Sequence, residues 1–110
     1  MASVQQELKE LVLSNVRTLE KAAKKAKKGK YSALKNYLED ALDLEIKIDG
    51  RFRYRSVTIQ LAIGGPGLYF NSETSEMIGV WGSDRFIKKV DYEACNEVND
   101  YYEDYFETCR

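Results

Sequence analysis

The chain has 110 residues, 17 Lys/Arg against 18 Asp/Glu, 44% apolar residues, no histidine and two cysteines. That size and balance suit one globular domain with a single core and exclude a disordered chain. The lack of histidine excludes Ser–His and Cys–His catalysis and removes the commonest zinc ligand.

The charge is unevenly spread. Residues 1–36 hold nine basic residues against three acids, residues 37–90 seven against eight, and residues 91–110 one against seven. A basic end and an acidic end make two distinct surfaces, unless they fold onto each other and cancel. No apolar run approaches ~18 residues, so no membrane span is expected. Glu7, Glu10 and Glu20 interrupt the first 20 residues, which lack a signal-peptide apolar core, so no export signal is expected either.

Ser3 and Gln6 have the spacing of a capping box. Behind them Val4, Leu8, Leu11, Val12, Val16, Leu19, Ala23 and Ala26 form a helical stripe, and Gly29 is a natural terminator. The first helix is thus predicted over residues 3–28. Ser32 can cap a second, with Leu34, Tyr37, Leu38, Ala41 and Leu42 on its apolar face. The short connection makes the two a helical hairpin.

From Leu44 the period changes to two. Leu44, Ile46 and Ile48 alternate with charged residues up to the turn dipeptide Asp49-Gly50. Phe52 and Tyr54 then alternate with Arg51, Arg53 and Arg55, which places the three arginines on one strand face. After Ser56 the alternation resumes out of phase, which predicts a β-bulge near Arg55-Ser56. Gly64-Gly65-Pro66-Gly67 reads as a loop. It lacks the spacing and the lysine of a phosphate loop. Residues 68–71 and 77–81 read as a second hairpin. Trp81 is expected to be a buried anchor, Gly82-Ser83-Asp84 to end the sheet, and residues 85–90 can add a short strand.

The C-terminal segment, residues 91–110, is the most distinctive. Ala94, Cys95, Val98, Tyr101, Tyr102, Tyr105, Phe106 and Cys109 recur at three- and four-residue steps, and seven carboxylates fill most of the rest. On one helix Cys95 and Cys109 would lie about 21 Å apart, beyond disulfide reach. Both read as small buried hydrophobes in a reducing compartment. Two cysteines without a CxxC pair cannot build a structural zinc site. The expected architecture is a single α+β domain over residues 1–110, with an N-terminal helical hairpin, a four-stranded antiparallel sheet and a C-terminal acidic helix.

Two surfaces can carry function. Glu93, Glu97, Asp100, Glu103, Asp104 and Glu107, with Tyr102 among them, can imitate a phosphate backbone to a protein that binds nucleic acid. The competing reading is an ordinary solvated face. Alternatively Arg51, Arg53 and Arg55, with the lysine cluster of residues 21–30 (Lys24, Lys25 and Lys28 foremost), could hold phosphates directly. Against this, lysines at a helix C-terminus also complement the helix dipole, and Phe52 and Tyr54 could be core. No residue set points to catalysis, a metal or a cofactor.

Ile63-Gly64-Gly65-Pro66, then Ile78-Gly79-Val80-Trp81-Gly82, then the run from Asn99 through Tyr101, Tyr105 and Phe106 to Glu107 together resemble small proteins of phages and bacterial mobile elements. Some proteins of that origin are anti-CRISPR inhibitors. The resemblance covers residues 44–110. It implies a non-catalytic, protein-binding inhibitor in the cytoplasm of a host bacterial cell, acting through the acidic helix as a DNA mimic on a CRISPR effector or another nucleic-acid-handling complex. Nucleic acid itself is a partner only in the alternative reading.

Overall fold

Ser3 starts the first helix as the spacing predicts, its Oγ accepting the Gln6 backbone N–H at 3.1 Å. The second half of the capping box does not form, because the Gln6 side chain turns forward and donates to Glu10. In the computed structural model, which describes residues 3–109, the elements are α1 (Val4–Lys27), α2 (Ser32–Glu39), β1 (Asp43–Ile48), β2 (Tyr54–Ala62), β3 (Gly67–Asn71), β4 (Glu76–Trp81), β5 (Asp84–Lys89) and α3 (Tyr92–Cys109). The chain leaves α1 through Gly29 at a φ of 89°, the left-handed conformation that glycine adopts without strain. Ser32 is the first residue of α2 and not its cap; Tyr31 occupies the cap position with no side-chain bond.

The strands form one antiparallel meander in the order β1-β2-β3-β4-β5. The sheet therefore has five strands, not the expected four. The difference lies at Gly82, whose φ of 61° lets the chain reverse with Trp81 paired to Asp84. Gly82-Ser83 is a hairpin connection and not the end of the sheet. The bulge expected near Arg55-Ser56 is present: Lys47 pairs with Ser56 and Ile48 with Tyr54, which leaves Arg55 unopposed.

The β1–β2 connection is wider than a two-residue Asp-Gly turn, and this overturns the expected arginine face. The Asp49 carboxylate accepts the backbone N–H groups of Arg51 at 2.8 Å and Arg53 at 3.0 Å, and the Arg53 Nε–H at 2.9 Å. The backbone donor of Arg53 leads in holding that carboxyl below its ordinary value. Phe52 sits in the left-handed region at φ 60° and is 65% exposed, so it is no core residue. Arg51 and Arg53 thus belong to the loop, and only Arg55 lies in a strand.

One face of the sheet is covered by α1, over β4 and β5, and by α3, over β2. Val57, Ile59, Leu68, Phe70 and Met77 supply the sheet side of the core; Val12, Val16, Leu19, Ala23, Leu34, Leu38 and Val98 supply the helix side. Trp81 is only partly buried and stands outside this cluster, at the end of β4 beside the tight turn. The anchoring role expected of Trp81 falls instead to Phe70, fully buried in the central strand.

Gly79 lets α1 approach β4 closely. A Cβ there would lie 2.6 Å from Val12 Cγ2 and 2.8 Å from Leu8 Cδ1. Gly79→Ala should destabilise the protein by about 1–3 kcal/mol through overpacking, more than the ~0.5–1 kcal/mol that Ala gains over Gly in a strand. A urea melt should show the loss, and adding Val12→Ala should recover part of it. An unchanged midpoint would mean that the helix yields freely.

Candidate protein-binding surface

Asp91 opens α3. Its Oδ1 accepts the Glu93 backbone N–H at 3.0 Å, and its own N–H donates to Glu20 Oε2 on α1 at 2.8 Å. Ala94, Cys95, Val98 and Tyr102 turn inward at three- and four-residue steps. Glu93, Glu97, Asp100, Asp104 and Glu107 follow one another at four, three, four and three residues, which sets them in one strip along the helix. Glu103, three residues after Asp100 and four before Glu107, borders the same strip on the side away from Tyr101.

Two expectations for this helix are corrected. Tyr102 is not a surface residue: it is 2% exposed, with its hydroxyl directed at the Leu38 carbonyl oxygen at 3.5 Å. Tyr101 and Tyr105 flank it edge-on, with ring centroids 5.0 and 6.2 Å away. Cys109 is exposed; Cys95 alone is a buried thiol, donating to the Ser72 carbonyl at 3.2 Å. Burial raises the Tyr102 phenol to about 12, with help from Tyr101 and Tyr105, and raises Tyr37 and Tyr54 too. A raised phenol favours the neutral form in the folded chain. Its contribution is complete below the ordinary value of 10.0 and, for Tyr102, is lost as pH rises through about 12. Stability to urea should therefore fall across that interval, and Tyr102→Phe should flatten the fall. A wild-type profile level across the same interval would contradict this burial.

The acids differ in setting. Glu93 is spent on Lys27 of α1, at 2.7 Å, and this ion pair joins the basic end of the chain to the acidic helix. Glu97 is half-buried; Asp100, Glu103, Asp104 and Glu107 are exposed. Glu97, Asp100 and Asp104 form one wall of a cleft of about 430 Å³ between α2 and α3, with Tyr31, Leu34, Lys35 and Tyr101 completing it. Leu34 is buried, Tyr101 half-buried and Tyr31 61% exposed. A second hollow of about 260 Å³ shares Tyr101 and Asp104. The cleft thus joins carboxylates to aromatic and aliphatic surface, a lining that suits a cationic side chain with an apolar stem. The α2 contribution was invisible in the sequence; an isolated tyrosine in the polar connection before α2 was its one trace.

The basic residues do not converge. Lys24, Lys25 and Lys28 are exposed on the last turn of α1 and just beyond it, on the helix that packs over β4 and β5. Arg51, Arg53 and Arg55 lie at the hairpin of β1 and β2, toward the opposite edge of the sheet. Among the described residues, no three Cys, Asp or Glu side chains group in a way that could hold a metal ion, and no helix is long and apolar enough to cross a membrane. No family model, no curated protein and no solved structure matches the chain.

Proposed function

We propose that this protein is a small non-catalytic inhibitor that binds another protein, and that it docks α3 into a basic groove of a nucleic-acid-handling complex such as a CRISPR effector. The observation that carries the reading is the cleft beside α3, where three carboxylates line one wall above apolar and aromatic surface. A groove built to hold a phosphate backbone presents Arg and Lys side chains. Such side chains meet both the charge of Asp100 and Asp104 and the ring of Tyr101 in this cleft. Direct nucleic-acid binding is the second reading. It rests on the exposed Lys24, Lys25 and Lys28, and it is weakened by their separation from the arginine loop.

Affinity capture from bacterial lysate tests the proposal. The wild-type chain should retain a nucleic-acid-handling protein that an Asp100→Lys/Asp104→Lys variant loses, and it should not retard DNA or RNA in a gel at physiological salt. Retarded RNA, with retardation lost in an Arg51, Arg53, Arg55 triple alanine variant, would transfer the assignment to the second reading.

A further inference from the structure

Both α1 and α3 cover the same side of the sheet, and among the described residues no element lies over the other side. Cross-strand pairing sets out what that side carries. One row runs Asp43, Gln60, Tyr69, Ile78, Ile87; the next runs Glu45, Thr58, Asn71, Glu76, Lys89. Beyond the first row, Val80 pairs with Arg85. Ile78 is 7% exposed yet stands outside the central core, between Tyr69 and Ile87 on the uncovered side. Ile87 beside it is 43% exposed. On the β4–β5 half, Ile87 therefore forms a short apolar ridge backed by the buried Ile78, with Glu76, Arg85 and Lys89 around it. The β1–β3 half is a hollow of about 270 Å³ lined by Asp43, Glu45, Thr58, Gln60 and Tyr69. Charge divides the same way. Asp43 and Glu45 stand on β1, and Arg85 and Lys89 on β5. Lys47, farther along β1, is engaged by Glu73 at 3.0 Å, and Lys89 reaches the Thr74 carbonyl at 2.7 Å and Glu76 at 3.9 Å.

Ridge and hollow, and base and acid, are thus arranged as opposites about β3. We propose that this face is the interface of a two-fold homodimer in which β5 of each copy lies over β1 of the other. A two-fold axis running along β3, between two facing sheets, brings each row onto the same row of the second copy. Ile87 then enters the hollow beside Asp43 and Gln60, Lys89 faces Glu45 in the same row, and Arg85, one row beyond Ile87, lies diagonal to Asp43 within reach of its long side chain. The other in-plane axis, across the strands, would set β1 on β1 and acid on acid, which like-charge repulsion disfavours. Sheets packed this way lie ~10 Å apart with strands aligned within ~30°. Five strands at ~4.8 Å spacing and about five residues at ~3.3 Å each give a face of roughly 20 × 17 Å. Both copies together would bury roughly 700 Å² of flat face, below a standard interface, which makes this a weak, transient dimer. The dimer is reversible and leaves α3 free, so it is independent of the inhibitor reading.

Sedimentation velocity on the full chain from about 10 µM to 1 mM tests it. The wild type should pass from the 12.7 kDa monomer to twice that mass as concentration rises. Ile87→Glu, at an exposed position, should keep the circular dichroism spectrum and remain monomeric throughout. Asp43→Lys and Arg85→Glu should each weaken association at least tenfold, and the two together should restore it, since each copy then presents the reversed pair. A wild type that stays monomeric to 1 mM overturns the proposal. So does an Ile87→Glu variant that still dimerises, which would point to pairing through strand edges. A double charge reversal that fails to recover overturns the placement of β5 over β1.

Discussion

Replacing Asp100 and Asp104 with lysine should weaken partner binding by about 100-fold or more and leave the melting curve unchanged. Both carboxylates are exposed, so neither supports the core, and solvated surface charges usually alter stability by less than about 0.5 kcal/mol each. At a complementary interface the sign is different. Close charge pairs couple by about 1.5–7 kcal/mol, and reversal adds repulsion where attraction stood. The effect should appear partly as slower association at low salt, because the strip steers a basic partner before contact. Glu93→Lys is the internal control. Its carboxylate already belongs to Lys27, so reversal there should affect binding less. It should also loosen the junction of α1 and α3. If the Asp100→Lys/Asp104→Lys chain stays folded and binds as tightly as wild type, the acidic strip is a solvated surface and the mimicry reading is wrong.

Phe70→Ala should cost about 3–5 kcal/mol, a large part of the ~5–15 kcal/mol that keeps a domain folded. Phe70 is 0% exposed, in the middle strand, between Ile59 on β2 and Met77 on β4. Removing its ring would leave a cavity at the point where the sheet meets the helix layer, and fully buried neighbours can close it only in part. Trp81→Ala should cost less, because Trp81 keeps partial contact with solvent and lies outside the central cluster. Urea melts of the two variants give the comparison. A Phe70→Ala loss below about 1 kcal/mol, or a Trp81→Ala loss that exceeds it, would mean that the core is centred on the end of β4 instead.

Much of the local structure was legible in the sequence. The stripe behind Ser3, the terminator Gly29, the phase slip at Arg55 and the alternation of acids and apolar residues in α3 all appear where the spacing predicts. Each is a property of a few neighbouring residues, and a helix or strand period is written into them directly. Tertiary structure decided the rest. Whether Gly82-Ser83 ends a sheet or turns it depends on whether β5 finds β4 as a partner. Arg51 and Arg53 left the strand because the Asp49 side chain organises a longer loop around Phe52. Tyr102 and Tyr105 read alike in the helical stripe, yet Tyr102 is buried and Tyr105 is exposed. The hydroxyl of Tyr102 points to the carbonyl of Leu38, 64 residues earlier in the chain. The cleft pairs Asp100 and Asp104 with Tyr31 and Leu34 for the same reason. A local period specifies which residues share a face, and only the packing of distant elements determines which part of that face is closed to water.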